Sequence, residues 1–322
     1  MELVAVDIGG THARFAVARV DGNGTVTLDE PITLHTDDHV SLQTAWEAFE
    51  KELGRALPRA AAIAIAGPVT GQVVRMTNNS WVINTGALDE QLDIDRVSVM
   101  NDFAAVAHAV ANVPEDRLVH IAGPNKGLPK TGTVSVIGPG TGLGVAHFHR
   151  MADGYHVQAT EGGHVDFAPI DAIDDAIFAK LRGMYVRVST ERVNSGPGIV
   201  TIYEVLAELE GRSNGPREDV EIWKAALAGE DSLSVAAMQH FCMTLGSVTG
   251  DFALAHGASA VVLAGGLGLR LRDVLPRSGF EDRFCFKGRY QGLMRSIPIK
   301  LITHPQPGLF GAAAAFAMEH CR

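Results

Sequence analysis

Residues 2–28 read ELVAVDIGGTHARFAVARVDGNGTVTL. An apolar, β-branched run over residues 2–8 ends at two glycines, and residues 15–19 continue with strand-like alternation. A turn sequence at residues 21–24 then precedes a short stretch, 25–28, that again has strand character. Three successive strands predict a β-meander, which differs from the strand–helix opening of a dinucleotide-binding fold.

Helix and strand patterns alternate through the rest of the chain. An alanine-rich helix is predicted from Gly308, and further helical patterns lie at 42–53, 86–92, 103–110, 173–184 and 235–252. We expect residues 114–130 to form a looser stretch. Strands are predicted at 61–66, 97–100, 133–137 and 260–263, and residues 145–148 form a further short apolar run. This alternation predicts an α/β protein.

Length and charge narrow the class of protein. With 322 residues, the chain exceeds the size at which one hydrophobic core usually stops growing, so we expect two domains with a boundary near residue 112. Its 37 acidic and 27 basic residues give a formal net charge of −10, and no block of Lys or Arg occurs. This balance disfavours nucleic acid as a partner.

Targeting and cysteine patterns point to the cytoplasm. The start MELVAVDIGG lacks the basic segment and cleavage site of a signal peptide, and polar residues or glycines interrupt each apolar stretch before membrane-spanning length. Cys242, Cys285 and Cys321 are far apart and lack C-x-x-C spacing, so neither a disulfide framework nor a zinc site is expected. We expect a cytoplasmic protein with reduced thiols and no membrane partner.

The first candidate site is Asp7-Ile8-Gly9-Gly10-Thr11. Glycines lack a Cβ and therefore let main-chain N–H groups approach phosphate oxygens. A carboxylate beside phosphates fits a magnesium ion between them. The alternative is a tight hairpin turn in which Asp7 serves only the turn.

Two further glycine clusters follow apolar strands. Residues 138–144 read GPGTGLG, which offers N–H groups and the Thr141 hydroxyl to a terminal phosphate but lacks the Lys-Ser/Thr ending of a P-loop. Gly265-Gly266-Leu267-Gly268 opens a predicted helix and would let a flat adenine lie against the backbone. Ordinary turns are the alternative for both.

Asn101-Asp102 closes a predicted strand and opens a predicted helix. Asn and Asp are favoured helix N-caps, which is the structural explanation of the pair. The functional alternative makes Asp102 a general base that accepts the proton of an attacking hydroxyl, while Asn101 orients the substrate.

Polar residues beside glycines in the second half fit a polyhydroxy substrate. The segments 161–166, EGGHVD, and 191–198, ERVNSGPG, supply carboxylates and an imidazole that can hold paired sugar hydroxyls. A structural His164 and a surface Glu191 are the simpler alternatives. Irregular spacing disfavours a metal site in the first of these segments.

The joint order of these motifs resembles the bacterial glucokinase family, within the hexokinase, actin and heat-shock ATPase superfamily, over essentially the whole chain. Residues 7–11 resemble the first phosphate loop, residues 138–144 the second, and Gly265-Gly266 the adenosine motif. Further stretches that resemble family signatures are 76–81 (MTNNSW), 101–103, 161–167, 191–198 and Pro307-Gly308-Leu309.

The resemblance implies a two-domain actin-like ATPase (ribonuclease H-like) fold with a ligand cleft between the domains. A small α/β domain would comprise residues 1–112 plus 304–322, and a large α/β domain residues 113–303. The family's frequent assembly, a homodimer, is expected here as well.

The same resemblance implies transfer of the γ-phosphoryl group of ATP to the 6-hydroxyl of glucose, with Asp102 as the catalytic base. Glucose would be held by Asn78, Asn101, Asp102, Glu161, His164 and Glu191. ATP would be bound by Val6, Asp7, Ile8, Gly9, Gly10, Thr11, Gly138, Gly140, Thr141, Gly142, Gly265 and Gly266. Asp7 would act on magnesium through water.

Two departures from the family pattern matter. His12 stands where the family usually has Asn, and the chain lacks the cysteine-rich zinc motif of related kinases and repressors, which indicates the zinc-free branch. A kinase for another hexose, such as mannose or fructose, and a non-catalytic sugar sensor are the alternatives. The intact Asp102 disfavours the sensor, and an actin-like or chaperone ATPase would have no small polyol for Glu161, His164 and Glu191 to hold.

Overall fold

The computed structural model describes residues 1–76, 79–212, 215 and 217–321. The chain forms two compact units. The first comprises Met1–Pro114, Val157–Ala159 and His304–Arg322, and the second comprises Glu115–His156 and Thr160–Thr303.

The described strands and helices follow the alternation expected from the sequence. The strands are β1 Glu2–Ile8, β2 His12–Val20, β3 Val26–Leu28, β4 Ile32–His35, β5 Ala60–Ile65, β6 Val73–Arg75, β7 Val82–Asn84, β8 Arg96–Asn101, β9 Leu118–Ala122, β10 Gly132–Pro139, β11 Leu143–Met151, β12 Gly154–Thr160, β13 Ala258–Leu263 and β14 Ile299–Ile302. The α-helices are α1 Leu42–Leu53, α2 Leu88–Leu92, α3 Asp102–Asn112, α4 Ala172–Met184, α5 Thr190–Val193, α6 Gly198–Leu209, α7 Asp219–Ala228, α8 Ser232–Ala255, α9 Gly265–Arg270, α10 Phe280–Cys285, α11 Gln291–Met294 and α12 Pro307–His320.

The main sheet of the first unit has the strand order β3-β2-β1-β5-β8, with β4 paired to β2. The pairs β1–β2 and β2–β3 are antiparallel, as the predicted meander requires, whereas β1–β5 and β5–β8 are parallel. Ile8 lies opposite Ile65, and Ile65 lies opposite Asn101. The carboxyl ends of three parallel strands therefore meet at one edge of the sheet, which is where ligands bind in open α/β sheets.

Small side chains let helices lie close to this sheet. All six residues of β5, AAAIAI, are buried, and α12 packs against β1, β5 and α3. A Cβ on Gly311 of α12 would lie 1.7 Å from the carbonyl oxygen of Ala105 in α3, so no side chain larger than hydrogen fits there. Close packing therefore requires glycine at position 311, and the alanines at positions 312–315 beside it are buried.

The sheet of the second unit has the order β12-β11-β10-β13-β14-β9. The β10–β11 pair is an antiparallel hairpin, while β10–β13 and β13–β14 are parallel. The stretch 114–130, expected to be looser, contains a strand that was not predicted, because residues 118–122 form β9. This strand pairs antiparallel with β14, a partner so distant along the chain that local patterns carry no sign of it.

A buried polar cluster joins three helices of the second unit. His240 Nε2 lies 2.8 Å from Asp174 Oδ1, and Arg283 donates to Asp174 Oδ2 at 3.2 Å and to Asp171. Asp171, Asp174 and His240 are close enough to hold a metal ion, but the guanidinium of Arg283 already supplies the positive charge. The cluster therefore ties together α4, α8 and α10.

Cys242, Cys285 and Cys321 form no disulfide in this structure. Cys242 and Cys285 are buried, and burial raises the pKa of the Cys242 thiol to about 12 and that of Cys285 above its usual range. Among the described residues, no helix is both long enough and apolar enough to cross a membrane.

Candidate active site

Asp7 lies near the carboxyl end of β1, at the sheet edge where the parallel strands of the first unit end. It pairs with Arg14 of β2, whose guanidinium nitrogen lies 3.7 Å from Asp7 Oδ2. The Asp7 side chain is 22% exposed. Burial raises the pKa of Asp7, and the positive charge of Arg14 opposes that rise.

The turn after Asp7 is a tight hairpin whose carbonyl groups are held by hydrogen bonds. Gly9 N–H donates to the carbonyl of His12 at 2.9 Å. The buried Thr36 donates its hydroxyl to the Gly10 carbonyl at 2.9 Å and its N–H to the Thr11 carbonyl at 3.0 Å. The structure therefore contains the hairpin that was one interpretation of this motif, and a phosphate would meet a loop that is already ordered.

His12, the departure from the family pattern, points to a neighbouring strand. Its ring centroid lies 4.5 Å from that of His35, the residue opposite it in β4. The imidazole thus packs against a second imidazole beside the hairpin.

Asn101 caps α3. Its Oδ1 accepts from the N–H groups of Phe103 at 2.9 Å and Ala104 at 3.0 Å, and its Nδ2 donates to the carbonyl of Gly67 at 3.0 Å. The cap expected on structural grounds is therefore present, and within the described part of the chain the second Nδ2 hydrogen has no acceptor. Asn78, another predicted sugar contact, lies outside the described residues.

Asp102 is the first residue of α3, directly after the cap. One of its oxygens, Oδ1, accepts from Phe103 N–H at 2.8 Å. The positive end of the helix favours a carboxylate at this position. The strand end, the cap and the helix start together hold Asp102 at the same sheet edge as Asp7.

In the second unit, residues 140–142 form the tip of the β10–β11 hairpin. Gly140 N–H donates to the Gly142 carbonyl at 2.8 Å, and the Gly140 carbonyl accepts from Gly196 N–H at 2.7 Å. The N–H groups of Thr141 and Gly142 donate to no group in the described part of the chain. They remain available for an anion.

The predicted adenosine motif lies beside this hairpin. Strands β10 and β13 are parallel neighbours, with Ile137 opposite Leu263, so the residues that follow them end at the same edge. Gly265 has a φ of +80°, and a Cβ there would lie 2.6 Å from the Pro139 carbonyl oxygen. Only glycine meets both conditions.

The segment with Glu161 and His164 also needs its glycines. Both polar residues are exposed and flank the buried Gly162 and Gly163. A Cβ on Gly163 would lie 2.2 Å from the Leu143 carbonyl oxygen, and one on Gly162 would lie 2.9 Å from Val145. The predicted sugar segment therefore packs directly on the first residues of β11.

Glu191 lies beside the same hairpin. Its Oε2 accepts from Leu143 N–H at 2.9 Å. The structure thus brings Glu161, His164 and Glu191 together with the second glycine loop in one unit. Asp166 instead forms an ion pair with Arg187 at 2.6 Å, and no metal-ligand cluster of the described residues includes Glu161, His164 or Asp166.

Several residues that support the site were not predicted from the sequence. Thr190 donates its hydroxyl to the Gly163 carbonyl at 2.8 Å, Asn194 Nδ2 donates to the Thr190 carbonyl at 3.2 Å, and the buried Thr244 donates to Asn194 Oδ1 at 3.0 Å. Of these residues, only Thr244 could have been noticed, because it is a polar residue on the apolar side of the long helix α8. Arg14 and Thr36 carried no comparable signal.

Comparison with known proteins decides the family. A family model described as Glucokinase matches residues 3–319. This chain belongs to the glucokinase family. It is 54% identical over 320 residues to "Glucokinase" of Zymomonas mobilis subsp. mobilis, with 99% of each chain covered. The glucokinase family resemblance predicted from the motifs, and the enzyme class that it implied, are confirmed.

Solved structures show the same architecture. The crystal structure of a glucokinase from an Antarctic psychrotroph matches with a TM-score of 0.85 and 32% identity, covering 98% of both chains. A glucokinase from Balamuthia mandrillaris in complex with glucose matches with a TM-score of 0.79 and 20% identity, over 97% of this chain and 92% of that one, and supports the fold alone. The predicted two-domain α/β sugar-kinase fold of the glucokinase family is confirmed.

Proposed function

We propose that this chain transfers the γ-phosphoryl group of ATP to the 6-hydroxyl of glucose, giving glucose 6-phosphate and ADP. The observation that carries the proposal is the 54% identity to a curated glucokinase over 99% of both chains. The placement of the predicted residues at strand ends and glycine turns is consistent with this chemistry.

The two glycine hairpins and Gly265-Gly266 are the proposed ATP site. Val6, Asp7 and Ile8 end β1 beside the first hairpin, and Gly138 leads into the second. The N–H groups of Thr141 and Gly142, which have no acceptor among the residues that the structure describes, would stabilise phosphate charge without reorganising during the reaction.

Asp7 is the proposed magnesium residue. A single carboxylate beside a phosphate loop matches the preference of Mg²⁺ for oxygen ligands from one or two carboxylates together with phosphates and water. Bound magnesium would neutralise charge on the transferred phosphoryl group. Burial raises the pKa of Asp7, and the positive charge of Arg14, 3.7 Å away, opposes that rise.

Asp102 is the proposed base, and Asn101, Glu161, His164 and Glu191 are the proposed sugar contacts. The 6-oxygen attacks the γ-phosphorus while the bond from that phosphorus to the leaving oxygen of ADP breaks, and Asp102 accepts the hydroxyl proton. Positioning of the sugar hydroxyl and the ATP phosphates supplies much of the rate acceleration, because the protein forms no covalent bond to the transferred group.

The family resemblance supports further expectations. These are a cytoplasmic location, a role at the entry of glycolysis and a homodimer. We also propose that the two compact units are the predicted small and large domains, since the first unit runs to Pro114 and, apart from Val157–Ala159, resumes at His304.

The test is magnesium- and ATP-dependent phosphorylation of glucose, mannose, fructose and N-acetylglucosamine by the wild type and Asp102→Ala. Strong turnover of glucose that is lost in the variant is expected. Glucose binding without turnover of any sugar would contradict the proposal and favour a sensor, and preference for another sugar would change the substrate.

A further inference from the structure

Leu143 is the point where the predicted sugar segments meet the second phosphate hairpin. It directly follows residues 140–142 and is buried. Its carbonyl oxygen faces Gly163, where a Cβ would lie only 2.2 Å away, and its N–H donates to Glu191 Oε2 at 2.9 Å. The main chain of Leu143 therefore hydrogen-bonds to one segment assigned to the sugar and lies directly against the other.

The Glu191 carboxylate lies against the hairpin itself. A Cβ on Gly142 would lie 2.4 Å from Glu191 Oε2, so the glycine makes room for the carboxylate. The same stretch of chain forms a second contact with the hairpin: Gly196 N–H donates to the Gly140 carbonyl at 2.7 Å. The segment that begins at Glu191 therefore contacts the hairpin at both Gly140 and Gly142.

The two oxygens of Glu191 have different surroundings. Oε2 accepts from Leu143, whereas Oε1 finds no hydrogen-bond partner within the described part of the chain. An ionised carboxylate can accept at both oxygens at once. Glu191 can therefore serve the hairpin and a ligand hydroxyl together.

We propose that Glu191 is a positioning residue that holds the phosphate hairpin 140–142 through Leu143 with Oε2, while Oε1 accepts a sugar hydroxyl. The inference rests on the proposed function of the two segments. The Glu191 carboxylate then couples sugar binding to the conformation of residues 140–142. By linkage, each ligand changes the affinity of the other by the same factor through this contact.

The size of the effect follows from the hydrogen bond. A bond to a charged acceptor is stronger than a neutral one, and its removal leaves the buried Leu143 N–H without its acceptor. We expect loss of the Glu191 side chain to weaken nucleotide binding about ten-fold even when no sugar is present. A residue that only touched sugar would leave nucleotide binding unchanged under that condition.

The experiment is calorimetric titration of the full chain with magnesium and a non-hydrolysable ATP analogue in the absence of sugar. Glu191→Ala is expected to bind the analogue about ten-fold more weakly than the wild type, because the Leu143 acceptor is lost. Glu191→Gln keeps an acceptor oxygen and is expected to recover most of that affinity. Glu221→Ala, which removes an exposed carboxylate of the same unit, is the matched control and should bind like the wild type.

A second measurement keeps the test independent of stability. In protein labelled with ¹⁵N-leucine, the Leu143 amide resonance should move when glucose is added to the wild type, and it should differ between the wild type and Glu191→Ala. The inference is overturned if Glu191→Ala binds the analogue as tightly as the wild type. It is also overturned if the Leu143 resonance shifts neither on addition of glucose nor in Glu191→Ala. If the proposed function itself fails, the wild type will not phosphorylate glucose at all, which is a separate result.

Discussion

Gly308, at the start of α12, lies directly against the carboxylate of Asp7. A Cβ at Gly308 would lie 2.6 Å from Asp7 Oδ2 and 2.8 Å from Asp7 Cγ, too close for any side chain without movement of the carboxylate. The helix that ends the chain therefore helps to place the proposed magnesium residue near the end of the first strand.

Gly308→Ala should consequently displace Asp7 and lower kcat/KM for ATP at least about ten-fold, since small displacements of catalytic groups have large effects on rate. Steady-state kinetics with varied ATP measures this. Gly292→Ala is the control, because nothing lies within 4 Å of a Cβ at that position. Equal kinetics for the two variants would contradict the role given to the Asp7–Gly308 contact.

Asp102→Asn should lower kcat by at least about 100-fold, the lower end of what a positioned base contributes. The amide keeps the size of the side chain and an oxygen that can accept from Phe103 N–H, so the start of α3 should be preserved. Glucose affinity, measured by equilibrium titration, should change far less than kcat. Near-normal turnover would remove Asp102 from its assignment as base.

Thr190→Val should raise KM for glucose more than KM for ATP. The substitution keeps the shape of the side chain but removes the hydroxyl that donates to the Gly163 carbonyl, and the orphaned buried carbonyl costs about 1 to 3 kcal/mol. Kinetics with each substrate varied separately, together with thermal unfolding, measures both effects. Thr190→Ser keeps the hydroxyl and should restore glucose KM. Failure of serine to restore it would show that the methyl group, and not the hydrogen bond, matters.

His256 should make stability depend on pH. Burial, together with the charge of nearby His147, lowers the pKa of His256 from 6.5 to about 4. The folded-state pKa of His256 lies below its unfolded value. The contribution of His256 to the free energy of unfolding is therefore complete above about pH 6.5 and is lost as the pH falls toward about 4. The loss should be about 1 to 2 kcal/mol, reduced from the full linkage value because the side chain is partly exposed.

Urea unfolding at about pH 7.5 and about pH 4.5 measures this dependence, and His256→Gln should make the free energy of unfolding less sensitive to pH across that range. His149→Gln, which removes an exposed imidazole from the same unit, should keep the dependence of the wild type. Identical pH profiles for the wild type and His256→Gln would exclude His256 as the source.

The sequence by itself determined the local parts of the fold and the family. Apolar periodicity located the opening meander, α1, α4 and α8, because these patterns repeat within one element. Glycines placed after strands marked the phosphate hairpins, because only glycine tolerates such close backbone approach. The motif order was sufficient for the family, since each motif is local and its position along the chain is read directly.

Only the tertiary structure decided the contacts between segments that are distant in sequence. The β9–β14 pairing, the Gly308–Asp7 contact and the hydrogen bond from Leu143 to Glu191 each join residues far apart along the chain. Spacing carries no sign of such contacts, because they depend on how strands pair and helices pack. The sequence therefore determined which residues are candidates for the chemistry. The packed structure decided which neighbours hold them in place, because contacts between distant segments exist only when the chain has folded.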